Sequence, residues 1–281
     1  MSTRNRATRP LLVGGKYLAI LLYLLFALFP LYWLLKIGLT PDKLIYTEGT
    51  ALWPSWVTFD NFRSVVTQTD FLIYFRNSIT VSLSTAFVTT LVASAAGYAF
   101  SRFVFRGKNL IILLMLLTQM FPLLMIISPI YKIFATVGLL NTLTGLIIAY
   151  TAFNIPFATF LMQSFFDGIP QDLEEAAMTD GATRFQALRL VIFPLTLPGM
   201  AATLGFVFTA AWSELLFALM LINSNDTMTF PVGLMTFVSK FSVDWGQMMA
   251  AGVLALIPSC LFFFFIQRYL VQGLTSGAVK G

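Results

Sequence analysis

The chain has 281 residues, of which 58% are hydrophobic and only 10% charged, whereas a soluble domain carries about 25% charged residues. That leaves too little polar surface to hold a globule of this size in water, so the composition excludes a soluble domain and points to a membrane protein with several spans. There is no His and only one Cys, Cys260. Imidazole triads, His-ligated metals, disulfides within the chain and thiolate clusters are therefore all excluded. Neither a GxxxxGK[ST] phosphate loop nor a GxGxxG run is present, so those routes to nucleotide are closed. The net charge of +5 is too sparse for a nucleic-acid surface.

Taken in order, the charge-poor stretches predict six transmembrane helices at about 17–37, 78–101, 109–130, 143–165, 196–222 and 248–270. Each supplies the roughly 20 apolar residues a spanning helix needs, and helices satisfy their own backbone in hydrocarbon. The expected fold is an all-α membrane protein. The first span is too long for the apolar region of a secretory signal, and no small-x-small cleavage site follows it, so it reads as an uncleaved anchor.

Charge placement sets the orientation. With the N-terminus cytoplasmic, Arg4, Arg6, Arg9, Lys16, Arg102, Arg106, Lys108, Arg184, Arg189, Arg268 and Lys280 lie inside. Lys43, Arg63, Arg76, Lys132 and Lys240 lie outside, and Lys36 closes the outer end of the first helix. The excess of basic residues inside puts both termini in the cytoplasm. The chain then divides into a cytoplasmic segment 1–16, a first helix 17–37, an extracytoplasmic loop 38–77, a five-helix core 78–270 and a cytoplasmic tail 271–281. The 38–77 loop, with Gly49, Trp53 and Trp56, is too long for a simple connector and is expected to be partly ordered at the membrane interface. A further outer loop, 223–247, carries Asn223, Asn225, Asp226, Pro231 and Gly233 and is shaped to meet an extracytoplasmic partner.

Between the fourth and fifth spans, the segment at about 166–194 holds Asp167, Asp172, Glu174, Glu175 and Asp180, five of the chain's 12 acids. Pro170 suits a first helical turn, and the acids that follow it suit the positive end of a helix dipole. Gly181 is placed to end that helix in a left-handed cap. Thr183-Arg184-Phe185-Gln186 opens a second helix with a capping-box pattern, and Pro194 ends that helix or bends it back to the membrane. Two short helices with a glycine corner are expected, with Leu173, Ala176 and Ala177 on one face. Physics leaves two readings open: a docking element for another protein, or a connector resting on its own membrane domain.

The order Glu175-Ala176-Ala177, three residues, Gly181, nine residues, then Val191-Ile192-Phe193-Pro194 resembles the EAA loop of ABC importer permeases, with Val191 and Phe193 in place of the usual Ile and Leu. Residues 169–183, the tail 268–281, 75–82 and Gln119-Met120-Phe121-Pro122 are similar to carbohydrate-type importers, specifically the smaller, maltose-permease-like subunit of a heterodimer. The resemblance covers about residues 70–281. It implies that the loop is a coupling element docked on an ATPase subunit, with Glu174, Glu175, Ala176, Ala177, Asp180, Gly181 and Pro194 as its working residues. The end of the tail, 277–281, would lie near the same interface. It further implies a second permease subunit, two ATPase subunits that bind ATP and Mg, an extracytoplasmic sugar-binding protein and residence in the bacterial inner membrane. No catalytic residue, cofactor or metal is expected in this chain.

Polar residues in the predicted spans give weaker signals. Glu214, with Trp212 beside it, reads either as a sugar-binding pair in the translocation path or as an interhelical hydrogen-bonding acid. Gln119 and Asn154 precede Pro122 and Pro156, where helices can open, and with Tyr150 they are further path candidates or packing residues. Ser82, Thr85 and Thr89 share a face that lets helices approach closely. Two rival classes remain at this stage: a self-contained ion- or proton-coupled transporter, for which one acid and no His make a thin relay, and a membrane-embedded enzyme, for which Glu214 lacks an evident partner.

Overall fold

The computed structural model describes residues 4–48 and 50–278. Gly49, Lys280 and the 279–281 end of the tail lie outside the described residues, as do the side chains of Arg4, Arg6, Arg9 and Arg268. In chain order the helices are α1 (Arg4–Gly38), α2 (Asp42–Ile45), α3 (Asp60–Gln68), α4 (Phe71–Arg102), α5 (Lys108–Met120), α6 (Leu123–Thr136) and α7 (Leu143–Asp167). They continue as α8 (Asp172–Thr179), α9 (Arg184–Ala187), α10 (Phe193–Trp212), α11 (Leu216–Leu221), α12 (Phe230–Leu234) and α13 (Trp245–Ala278). Among the described residues there is no strand beyond one isolated bridge, Val238 to Val243. Among the described residues five helices are long and apolar enough to cross a membrane, and the bent α5–α6 pair would make a sixth span.

Two units can be distinguished. One comprises the described residues up to Thr69 together with Thr236–Leu256. Here Gly38 lies against the backbone of Ala250, where a Cβ would come within 3.1 Å of its nitrogen. Asn61 Nδ2 donates to the carbonyls of Gly38 and Thr40 at 3.1 and 2.9 Å, giving partners to the orphan acceptors at the end of α1. The segment after α1 is ordered by its own polar contacts. Lys36 Nζ donates to Glu48 O at 3.0 Å and lies over the Trp33 ring, while Ser55 N–H donates to Glu48 Oε2 at 3.0 Å. Trp53 and Trp56 stay exposed.

The second unit, Asp70–Met235 with Ile257–Gly281, is built around α4, α7 and α10. Small residues set the approach: a Cβ at Gly97 would meet Gln163 N at 2.8 Å, and Gly199 lies on the Phe165 ring. Ser82, Thr85 and Thr89 are fully buried, as a close-packing face requires. A second core joins Val81, Ile127, Leu146, Tyr150, Phe217 and Leu221.

Several helix boundaries depart from expectation, among them that of α1, which begins at Arg4 rather than 17. The span predicted at 109–130 is broken: α5 and α6, 13 and 14 residues long, meet at 103°. Pro122 pushes the residue before it out of the helical region, and Phe121 has ψ 132. The span predicted at 196–222 instead runs without interruption from Arg184 to Trp212 and breaks before α11. Pro194 therefore neither ends nor reverses the helix. It follows a π-helical turn, Leu188–Ile192, which widens the helix where a proline ring would strike the carbonyl four residues back. The span predicted from residue 78 starts at Phe71, because one charge, Arg76, is carried within the helix.

Candidate functional site: the 166–194 segment

The segment leaves α7 at Asp167, and α8 starts at Asp172, two residues later than a helix with Pro170 in its first turn. Asp172, Glu174 and Glu175 occupy that first turn, where acids oppose the positive dipole end. The helix closes in a Schellman motif: Ala182 N–H donates to Ala177 O at 3.0 Å and Gly181 N–H to Met178 O at 3.1 Å. Gly181 takes φ 94, the left-handed region that a side chain disfavours. Thr183 and Gln186 then form the complete capping box. The second helix is not short, because α9 runs through the π turn into α10.

Eight residues are too few for a helix to stand alone in water, and α8 is held by one buried acid. Glu174 is 4% exposed. The Tyr98 hydroxyl donates to its Oε1 at 2.5 Å, and Arg102 Nε lies 3.3 Å from Oε2. Arg184, more exposed, stands 3.8 Å away and lies over the Phe103 ring. Arg102 also donates from Nη2 to Ile169 O at 2.8 Å, and Ser101 Oγ donates to Asp167 Oδ1 at 2.6 Å. The last turn of α4 thus grips the entry to the segment and α8 together. Tyr98, Ser101 and Arg102 were not predicted site residues; the only sequence signal was that charge-bearing Arg102 ends the apolar run facing the acidic segment.

The other residues predicted for this site face outward. Glu175, Ala176, Asp180, Gly181 and Pro194 are exposed and Ala177 is half-buried. Leu173 is 42% exposed and Phe185 70%, so apolar side chains stand uncovered beside Glu175. Exposed apolar groups next to a fixed charge are what a protein-docking surface presents.

The predicted path residues separate from one another. Trp212 is buried, stacked near-parallel on Phe208 and Phe230 and edge-on to Phe75, so in this structure its ring packs against other aromatics. Glu214 is not inside a helix. It sits in the break between α10 and α11, and its carboxylate accepts the N–H groups of Phe217 at 3.0 Å and Ala218 at 3.3 Å, capping α11. Tyr150 is buried in the core beside it. Asn154 Nδ2 donates to Tyr150 O at 2.8 Å within its own helix, and α7 passes Pro156 without a break. Gln119 alone faces open space: it precedes the α5–α6 bend, donates to Phe153 O at 3.3 Å and lines a largely apolar cavity of about 470 Å³ with Met115, Ile130 and Phe217.

Two asparagines that sequence reasoning missed hold the 223–229 loop. Asn77 Nδ2 donates to Asp226 O and Met228 O at 2.8 and 2.9 Å. Asn141 Oδ1 accepts from the N–H groups of Asn223 and Ser224 and from Thr227 Oγ1, with its own backbone left-handed at φ 57.

Comparison with known proteins decides what this architecture is. The profile of the family described as "Binding-protein-dependent transport system inner membrane component" matches residues 89–276. The chain belongs to that family. Among its relatives, the trehalose transport system permease protein SugB of Mycobacterium tuberculosis is 39% identical, over 91% of this chain and 93% of the relative. The trehalose/maltose transport system permease protein MalG of Thermococcus litoralis is 34% identical over 96% of each chain. The fold is similar to a chain of a bacterial ABC transporter involved in the import of the acidic polysaccharide alginate, with TM-score 0.76, 24% identity and coverage of 96% of this chain and 99% of that one. A binding-protein-dependent inner membrane component is a multi-pass permease subunit of an ABC transporter, and an EAA motif is typical of the family.

Proposed function

We propose that this chain forms half of the translocation pathway of an ATP-driven importer for a di- or oligosaccharide or a related polyol, and that the 166–194 segment is its coupling element. The observation that carries the reading is the two-sided build of α8: Glu174 is clamped from behind, while Leu173, Glu175 and Ala176 stay uncovered. A connector resting on its own membrane domain would bury its apolar side chains, whereas α8 turns Glu174 inward and leaves Leu173 and Ala176 uncovered.

In this reading both termini and the 166–194 segment are cytoplasmic, which agrees with the bias of Lys and Arg. The chain pairs with a second permease subunit. Two ATPase subunits supply ATP and Mg chemistry, and their closure moves α8 and, through it, the helices that alternate access. The names of the relatives support a sugar cargo. The 223–235 stretch, braced by Asn77 and Asn141, together with Lys240 further on, is assigned to contact with the extracytoplasmic sugar-binding protein. Crosslinkers placed at Asp226 or Lys240 should capture that protein, and failure at both positions would remove the assignment.

The test of coupling is purification in mild detergent. The wild-type chain should bring down an ATPase subunit and support ATP-dependent uptake of trehalose or maltose in proteoliposomes. The Glu175→Lys/Gly181→Pro variant should insert normally and lose both. Full ATP-dependent uptake by that variant would sink the reading, and reproducible absence of ATPase activity from the wild-type preparation would favour a self-contained transporter.

A further inference from the structure

We infer that Glu174, Arg102 and Tyr98 form a buried mechanical link that makes the coupling element move as one body with α4. The inference rests on the docking reading above and adds to it a set of positioning residues that lie behind the docking surface and touch no partner. Family resemblance counted Glu174 among the docking residues; the geometry turns it inward, onto Tyr98 and Arg102.

Two facts identify α4 as the receiving element. Glu174 is the one buried residue of α8, and two of its three side-chain partners, Tyr98 and Arg102, lie on the final turn of α4. The same turn also holds Asp167 through Ser101 and Ile169 through Arg102. A force applied to α8 therefore meets α4 through fixed, desolvated contacts. Toward α10 the direct side-chain contact is the longer and more exposed one, Arg184 of α9 at 3.8 Å from Glu174, and the backbone route crosses the glycine corner at Gly181 and then the π turn. Tyr98 is itself wedged edge-on between Phe103 and Phe166, and Gly97 beside it seats α4 against Met162 of α7. Movement of α4 is thereby passed to α7. An ion pair with both partners buried resists relative sliding because separating the charges leaves each without solvent.

The test uses the assembled transporter, with both permease subunits and its ATPases, in lipid nanodiscs. Cys260 is replaced by Ser so that spin labels can be placed at two exposed positions, Thr179 on α8 and Val92 on α4. Pulsed EPR distances are read before and after trapping with ATP–Mg and vanadate. With the link intact, the distance distribution should not change on trapping. With Glu174→Gln/Arg102→Met, which removes both charges and so avoids an orphaned one, trapping should shift the distribution beyond its resting width. Transport of trehalose or maltose per ATP hydrolysed should then fall about fivefold or more, with ATPase co-purification unchanged. Tyr98→Phe, which removes only one hydrogen bond, should give the same shift at smaller amplitude, and it decides the matter if the double variant fails to assemble.

A native distance that shifts on trapping, or a variant distance that does not, would overturn the link. Loss of the ATPase from the Glu174 variant would overturn it too, because Glu174 would then be a docking contact. Docking itself is read separately from Glu175→Lys: if that variant keeps its ATPase, the docking reading fails whatever the label pair shows.

Discussion

Glu174 and Glu214 are both acids in a chain that is nearly empty of charge, and they do opposite kinds of work. Glu174 takes partners from α4 and from the start of α9, far apart in sequence, and so fixes where an eight-residue helix sits. Glu214 takes the backbone N–H groups of residues three and four positions ahead, with Tyr150 of α7 beside it, and so chiefly shapes the turn it stands in. An acid held by side chains of other elements positions tertiary structure, whereas one held by its own following backbone ends or starts a helix. Scarcity of charge marks both as important without telling the two roles apart.

Substitutions sharpen this contrast. The largest effect is expected for Arg102→Ala, which strands a buried carboxylate: about 3–5 kcal/mol of stability should be lost, read as thermal unfolding of the detergent-purified subunit. If the loss is instead that of a surface pair, well under about 1 kcal/mol, Glu174 is not clamped as described. Asn141→Ala removes three accepted hydrogen bonds and a residue tolerant of the left-handed region. It should cost about 2–3 kcal/mol and free the 223–229 loop to proteolysis.

Gly181→Ala meets no atom within 4 Å, so its cost is conformational alone, about 1–2 kcal/mol. A larger loss would mean that the corner is also packed. Glu214→Gln keeps an acceptor for the α11 N-terminus and should cost about 1 kcal/mol or less, with transport rate and affinity for trehalose or maltose unchanged. A raised KM at constant kcat would return Glu214 to the substrate path.

The smallest effect concerns Glu48, whose carboxyl is held below its ordinary value of 4.5 chiefly by hydrogen bonds from Ser55. A depressed carboxyl contributes stability above the ordinary pKa that is lost as pH falls through the folded value. The stability difference between wild type and Ser55→Ala should therefore be present at neutral pH and close as pH falls from about 4.5. A difference that stays constant across that range would show that Glu48 titration is not its source.

What could be read from the residues alone follows the same division. Local features were legible: the cap at Gly181, the capping box at Thr183 and the acids of the first α8 turn depend on neighbours within a few positions. So was the set of apolar helices, because hydrocarbon demands length and low charge. The α5–α6 bend was half legible, since Pro122 marked a weak point but nothing in sequence sets an angle. The clamp was not legible, because Tyr98 and Arg102 meet Glu174 only after α4 and α7 have packed across Gly97. Trp212 misled for a related reason. An aromatic beside an acid looks like a sugar site until Phe75, Phe208 and Phe230 close around it, and the contacts with Phe75 and Phe230 are long-range.

The central claim is that the exposed face of α8 is the seat of an ATPase subunit, and proximity tests it most directly. In a Cys260→Ser background, Ala176→Cys should react with a short homobifunctional maleimide and a cysteine on the ATPase to give one major adduct, identified by mass spectrometry as permease joined to ATPase. Cysteine at Asn223, exposed in the 223–229 loop assigned to the extracytoplasmic side, should give little. Equal yields at both positions, or no adduct at Ala176 in a preparation that hydrolyses ATP, would contradict the account.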